Sequence, residues 1–311
     1  MQNQIFVALS AFGQDDKRPL ELLKASGYPF KIHNTGKRIT NPELLSNGLD
    51  AEVILAGVEV YDAQTLESLQ NLRCISRCGV GIDAIDLKMA KQKGVVILNT
   101  PGIPTEAVAE LALTMFLALS RNLRRQINSM QEGKWERLET HLLSGRTIGL
   151  IGFGSIGQRV AELCLAFGAK VIACDPLVVP SIAEKMNVSL VNKEQLLAEA
   201  DIVSLHASKG SDRTYLMGAN ELNLMKHGAF LVNLARGDMV NEVALVEALT
   251  SGKLGGAGLD VFGEEPYKGP LSQFEQVFLT PHSATNTIET RAAMELCCVE
   301  NALKFLRNRH S

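Results

Sequence analysis

Residues 147–168 read TIGLIGFGSIGQRVAELCLAFG: a buried-strand run, then Gly152-Phe153-Gly154-Ser155-Ile156-Gly157, then helical spacing from Gln158 to Phe167 that stops at Gly168. Glycines at this spacing have separate tasks when a strand precedes them and a helix follows. Gly152 permits the tight turn, Gly154 lets a pyrophosphate approach the backbone, and Gly157 allows close packing of helix on strand. The free N–H groups and positive dipole end of the helix then hold the phosphates. The next strand, in VIACDP, is closed by Asp175. Its carboxylate suits the ribose hydroxyls of an adenosine and repels a 2′-phosphate. No arginine lies between Pro176 and Pro180, so NAD is expected rather than NADP. A solvated aspartate beside a structural turn is the plainer alternative, and the matching strand and helix argue against it.

Outward from this motif, short apolar runs alternate with helical patterns along the whole chain, the signature of α/β layers around parallel sheets. Before it, strands are expected at Gln4–Leu9, Phe30–His33, Val53–Leu55, Cys74–Arg77 and Val95–Leu98, with helices at Pro19–Ala25 and Leu87–Lys93. Thr105–Ser120, TEAVAELALTMFLALS, reads as a helix with Thr105 as its N-cap. It is apolar on nearly every face and therefore buried, in its own domain or against a partner chain. From the motif onward, strands are expected at Thr147–Ile151, Lys170–Cys174, Ser189–Val191, Ile202–His206, Phe230–Leu234, Gly258–Val261 and Val277–Thr280. Ile288–Asn308 reads as a closing helix. The Thr100-Pro101-Gly102 turn is the evident domain boundary.

Bulk properties exclude several classes. The chain has 311 residues, 46% hydrophobic and 21% charged, with a net charge of −3. That length predicts two domains. Without a basic run, nucleic acid has no electrostatic footprint. No charge-free stretch reaches the roughly 20 residues a membrane span needs. The six cysteines form no C-x-x-C pair, and the chain opens without the basic region of a signal peptide. Reduced thiols, a cytoplasmic location and no bound metal are expected.

Chemistry-bearing side chains follow three later strands. Arg236 comes after AFLVNLA, Glu265 ends the run GLDVFGEE, and His282 follows VFLTP. In open parallel sheets ligands bind beyond the carboxyl ends of the strands, so these residues are candidates for one crevice with the Gly152 loop. A guanidinium matches a carboxylate bidentately. A carboxylate beside an imidazole favours the imidazolium and selects its tautomer. Together they meet the demands of hydride transfer to and from a 2-hydroxy acid: a cation for the carboxylate and an oriented base for the hydroxyl proton. Each residue alone also fits an ordinary surface or loop role.

The runs LVNLARGDMVNEVALVEAL, GGAGLDVFGEEP and TPHSA resemble the signature segments of the D-isomer-specific 2-hydroxyacid dehydrogenases. GLIGFGSIGQRVAELCLAFGAKV, SRCGVGIDAIDL and NTPGIPTEAVAELAL resemble the same family in its phosphoglycerate dehydrogenase-like branch, over nearly the whole chain. The resemblance implies two doubly wound parallel-sheet domains. A flavodoxin-like substrate-binding domain comprises residues 1–99 and 286–311, and a Rossmann NAD domain, residues 100–285, is inserted into it. It implies Arg236 as carboxylate clamp, His282 as acid/base with Glu265 as its partner, and the amides of Gly79, Val80 and Gly81 on the other side of the carboxylate. The implied coenzyme contacts are Gly152, Gly154, Ser155, Ile156, Gly157, Asp175, His206, Ala235, Arg236, Asp260 and His282. Among these, Asp260 meets the nicotinamide carboxamide and His206 starts the loop beside the adenosine. The helix Thr105–Ser120 matches the family's dimer-forming region, which implies a homodimer.

Two departures stand out: His206-Ala207-Ser208 replaces an H-x-P-like run, and Ser283-Ala284 replaces a pair containing glycine. The implied substrates are small (R)-2-hydroxy acids and their 2-oxo counterparts. The loop Ala56-Gly57-Val58-Glu59-Val60 has no arginine for a phosphate, which leans away from 3-phosphoglycerate. Two other classes stay open on sequence grounds. One is a non-enzymatic NAD(H)-sensing protein of the same fold, which tight NADH binding without turnover would reveal. The other is a phosphite-type dehydrogenase, which a phosphite screen would reveal.

Overall fold

A computed structural model describes residues 5–33, 35–207 and 215–310, without the His310 side chain. It forms two compact units, one running to Pro104 and resuming at Asn286, the other spanning Thr105–Thr285.

The first unit lays down β1 (Ile5–Val7), α1 (Arg18–Ala25), β2 (Phe30–Ile32), α2 (Asn41–Gly48), β3 (Val53–Ala56), α3 (Ala63–Ser68), β4 (Cys74–Arg77), α4 (Leu87–Gln92) and β5 (Val96–Leu98). Every strand pairing is parallel and the sheet order is β2-β1-β3-β4-β5, the flavodoxin-like arrangement. Helices start where side chains satisfy open amides: Asp62 accepts from Thr65 N and Asp86 from Met89 N, while Thr40 and Glu43 form a capping box.

The second unit contains α5 (Thr105–Ser120), α6 (Leu123–Gln131), β6 (Thr147–Ile151), α7 (Ser155–Ala166), β7 (Lys170–Cys174), α8 (Pro180–Lys185), β8 (Ser189–Leu190), α9 (Lys193–Glu199), β9 (Ile202–Leu205), α10 (Ala219–Leu224), β10 (Ala229–Asn233), α11 (Glu242–Thr250), β11 (Leu254–Leu259) and β12 (Val277–Leu279). Its sheet is also all parallel, in the order β12-β11-β10-β9-β6-β7-β8. Winding reverses between β6 and β9, which opens the crevice typical of a Rossmann sheet. Phe116, Phe153, Val160 and Cys164 fill one face and Leu196, Leu222, Leu245 and Leu249 the other, all nearly or fully buried.

The chain then returns to the first unit as α12 (Ile288–His310). Its buried residues Cys298, Val299, Ala302, Leu303 and Leu306 follow helical periodicity and pack with Leu23 and with the Val53 and Leu55 face of the sheet. Glu295, 4% exposed, accepts from Gly13 N at 2.9 Å and from Arg291 at 2.9 Å, tying α12 to the loop after β1.

Three details differ from the sequence expectations. Thr105 is the first helical residue of α5 rather than its N-cap, and its hydroxyl meets Ser155 Oγ at 3.4 Å. The strand expected at Gly258–Val261 instead runs Leu254–Leu259. Its glycines disguise it, yet they are there for clearance: a Cβ on Gly256 would sit 2.5 Å from Gln276 O, and one on Gly258 2.7 Å from Met115 Sδ. Third, α7 begins at Ser155, three residues before the helical pattern becomes visible, because Gly154 already stands at the N-cap with extended φ −72° and ψ −165°.

Helix α5 is covered within its own unit by α7 and by strands β10 to β12. Phe116 at its centre has no exposed surface. Phe116→Ala should lower unfolding free energy by about 3–5 kcal/mol through loss of burial and the cavity left behind. A urea titration checks this, and a loss under 1 kcal/mol would contradict the packing.

Candidate active site

Six strand ends meet at the carboxyl edge of the second sheet, presenting Gly152 after β6, Asp175 after β7, His206 after β9, Arg236 after β10, Asp260 after β11 and His282 after β12. The glycines of the motif divide their work by geometry. Gly152 has φ +98°, and a Cβ there would lie 2.4 Å from Ala207 N. Gly157 presses on the same turn: its Cβ would lie 2.3 Å from Gly152 O. Gly154 is different, since nothing lies within 4 Å of its Cβ position. The space in front of the α7 N-terminus is therefore open, as a pyrophosphate requires, and the residues present fit a dinucleotide.

Asp175 is more than a solvated strand end. Its Oδ2 accepts from Phe153 N at 2.7 Å and its Oδ1 from Leu177 N at 2.8 Å, so the acid is fixed against the glycine turn. Each carboxylate oxygen keeps a second lone pair for a ribose hydroxyl. His206 meets Ser204 Oγ through Nε2 at 2.9 Å. Burial pushes its ring from the ordinary 6.5 down to about 4. The ring is neutral at pH 7. Residues Ser208–Gly210, which complete the departure noted at His206, lie outside the described residues.

The best-defined contact joins Glu265 and His282. His282 Nδ1 lies 2.9 Å from Glu265 Oε2 and 3.1 Å from Oε1. A carboxylate there keeps a hydrogen on Nδ1 and leaves Nε2 as the position for proton exchange. The imidazole is half-exposed. Backbone geometry aims it: His282 has φ +51°, and among the described residues it shares positive φ outside glycine with Asn122 and Asn187.

Arg236 is seated from the adjacent strand end. Asn233, 1% exposed, donates through Nδ2 to Arg236 O at 2.8 Å and accepts from Ala235 N at 3.0 Å. Arg236 Nη1 donates to Ala235 O at 2.7 Å. A Cβ on Gly237 would lie 1.9 Å from Phe262 C, so the Arg236–Gly237 peptide abuts the segment carrying Glu265, whose Oε1 accepts from Phe262 N at 3.3 Å. The arginine and the acid–imidazole pair are thus built on touching backbones.

In the first unit, Gly79-Val80-Gly81 follows β4. Gly79 (φ +142°) donates its N–H to Thr100 Oγ1 at 2.9 Å, so this amide is engaged inside the unit, unlike the expectation that all three amides serve a substrate. Arg77 Nη1 bonds to Cys78 O and lies 2.8 Å from where a Gly79 Cβ would be. Glu59, 5% exposed, accepts from Gly57 N at 2.8 Å and Tyr61 Oη at 2.9 Å. Burial raises its carboxyl above the ordinary range, and those two bonds together with Arg77 oppose the rise. Sequence reading passed over Asn233, Thr100 and Thr280 as site-supporting residues. A polar residue inside the apolar run AFLVNLA was the visible signal for Asn233.

The family model for the D-isomer specific 2-hydroxyacid dehydrogenase NAD binding domain matches residues 113–284. The hydroxypyruvate reductase of Thermotoga maritima is 39% identical over 284 residues, covering 89% of this chain and 92% of that protein. The D-3-phosphoglycerate dehydrogenase of Methanocaldococcus jannaschii is 38% identical over 275 residues, covering 86% of this chain, which spans only 52% of that longer protein. Among solved structures, the D-lactate dehydrogenase of Aquifex aeolicus, complexed with NAD and lactic acid, superposes with a TM-score of 0.86. It is 28% identical, with 98% of this chain and 96% of that one covered.

The His206 environment yields a pH prediction. A ring whose folded value lies below its unfolded value contributes stability fully above pH 6.5 and loses it as pH falls from 6.5 toward 4. Urea midpoints between pH 7 and 4.5 should fall more for wild type than for His206→Asn, and parallel curves would refute a buried neutral imidazole.

Proposed function

The chain belongs to the D-isomer-specific 2-hydroxyacid dehydrogenases, NAD-dependent oxidoreductases, and on that premise we propose that Arg236, Glu265 and His282 bind the substrate and move the proton as a hydride passes between NAD(H) and C2 of a small (R)-2-hydroxy acid or its 2-oxo counterpart. The observation that carries the assignment is the Glu265–His282 contact of 2.9 Å, with Nδ1 engaged and Nε2 left for the substrate. NAD(H) supplies or accepts the hydride. Gly152, Gly154, Ser155, Ile156 and Gly157 take its pyrophosphate, Asp175 its adenosine ribose, and Ala235, Arg236, Asp260 and His282 border its nicotinamide end, with His206 beside the adenosine. Arg236 clamps the substrate carboxylate through its planar fork, and Gly79, Val80 and Gly81 are assigned to substrate on the family resemblance alone. During reduction His282 gives its Nε2 proton to the oxygen on C2, and during oxidation it accepts the hydroxyl proton. Glu265 holds the ring in the productive tautomer throughout.

Small unphosphorylated acids suit the first unit best. The loop after β3 exposes Val58 (43%) and Val60 (48%), while its acid, Glu59, is turned inward. A phosphate would meet apolar side chains there. Among the described residues no helix is long and apolar enough to cross a bilayer. We assign the protein to the cytoplasm on its thiols, since all six cysteines are free. A homodimer is supported by apolar surface on α6 and the segment after it. Leu123 (44% exposed), Ile127 (46%) and Met130 (55%) form a helical stripe, followed by Trp135 (80%) and Leu142 (72%).

The deciding experiment follows NADH oxidation with glyoxylate, hydroxypyruvate, pyruvate and 3-phosphohydroxypyruvate, repeated with NADPH. Turnover with an unphosphorylated acid and NADH is expected, and no turnover with any 2-oxo acid would end the reading. His282→Asn should lower kcat about 10²–10⁴-fold. Arg236→Lys should act mainly on KM, raising it about 10-fold or more, because an ammonium cannot reproduce the bidentate fork. A His282→Asn variant within about tenfold of wild type would refute the base assignment.

A further inference from the structure

Asp260 has no exposed surface, yet it bonds to the residues on both sides of His282. Its Oδ1 accepts from Thr280 Oγ1 at 2.5 Å and Ser283 N at 2.8 Å, with Ser283 Oγ at 3.5 Å. Its Oδ2 accepts from Ala284 N at 2.9 Å. The Asp260 N–H donates to Asn233 O at 3.1 Å, which fixes the acid to the strand end that seats Arg236. Between these anchors His282 crosses the left-handed region, with its own N–H turned back to Thr280 O at 2.9 Å. A β-carbon disfavours that conformation, so something outside the residue must hold it.

We propose that Asp260 is a positioning residue for the catalytic imidazole: its buried carboxylate gathers Thr280, Ser283 and Ala284 so that the 280–284 turn holds His282 toward Glu265. This rests on the reading of His282 as the acid/base and adds a role beyond the coenzyme contact that family resemblance implies for Asp260. The chemistry requires a carboxylate. One backbone N–H points at each oxygen, so an asparagine side chain, in either orientation, sets its NH₂ against an amide hydrogen. A glutamate is a methylene too long for both amides at once. The turn also explains how Ser283-Ala284 serves here without glycine: the pair contributes its backbone amides, and only His282 needs positive φ.

The test is kinetic and separates support of the imidazole from binding of coenzyme. Asp260→Asn is expected to lower kcat about 30–100-fold, the scale of a sub-ångström to 1 Å misplacement of a catalytic group. KM for the 2-oxo acid should stay within about threefold and the NADH Kd, read by fluorescence, should weaken by clearly less than kcat falls, since lost positioning acts on kcat rather than on ground-state binding. Where Asp260→Asn fails to fold, Thr280→Val removes one donor at the edge of the cluster. It should lower kcat about fivefold or more, and Thr280→Ser, which keeps the hydroxyl, should recover most of it. An unchanged kcat with a weakened NADH Kd would overturn the proposal and make Asp260 a coenzyme ligand alone. That outcome leaves the base assignment standing as long as His282→Asn remains inactive; an active His282→Asn would remove the base assignment itself.

Discussion

Backbone touching backbone at glycine is the constraint on which the rest of the second unit depends. Gly152 turns with φ +98° against the His206–Ala207 peptide, Gly157 rests on the Gly152 carbonyl, and Gly237 lies against Phe262. Each contact is too close for a side chain. The first two bring the end of β6, the start of α7 and the end of β9 to one point, where the sheet reverses its winding. The third joins the segment carrying Arg236 to the segment carrying Glu265. Main-chain contacts of this kind transmit position with little slack, because they contain no rotamers to relax. The side chains proposed to serve the substrate are thereby mounted on the least adaptable part of the fold.

Much of this was legible in the sequence, for identifiable reasons. Strands β4, β6 and β7 stand where apolar runs flanked by turn residues place them, and α5 spans its expected residues. A fully buried parallel strand has no polar alternation to obscure its limits. Strand β11 begins at Leu254, ahead of the expected Gly258, because Gly255 and Gly256 interrupt the apolar pattern that marks a strand. Only the approach of Gln276 and Met115 reveals why they are glycines, and neither approach is visible in a linear chain. The same holds for the site. Arg236, Glu265 and His282 were visible as residue types at strand ends, but the 2.9 Å contact between an acid and a ring 17 positions apart is a product of the fold.

The burial of three acids against backbone amides was the least legible. Asp260, Glu59 and Glu295 are all buried. Sequence patterning treats aspartate and glutamate as surface residues, and usually correctly. Here each meets backbone amides: Ser283 and Ala284 for Asp260, Gly57 for Glu59, and Gly13 for Glu295. Loops that leave a parallel sheet carry N–H groups with no strand to receive them. A buried carboxylate satisfies several such donors at once, and charge-assisted bonds are stronger than those of a neutral acceptor.

This arrangement also bears on why burial of an acid is tolerated beside an active site. An isolated buried carboxylate would be expelled or protonated. When two backbone amides and a hydroxyl converge on it, the same desolvation strengthens every bond it makes, so the loop it organises becomes stiff. Stiffness is needed at His282, whose left-handed backbone relaxes toward ordinary geometry if its neighbours loosen. At Glu59 the same device lies under an apolar loop: the carboxyl accepts from Gly57 N and Tyr61 Oη while Val58 and Val60 face outward, and Arg77 opposes the rise that burial imposes on it. One motif, a buried acid collecting loop amides, thus supports the proposed proton-transfer residue in one unit and underlies the loop after β3 in the other.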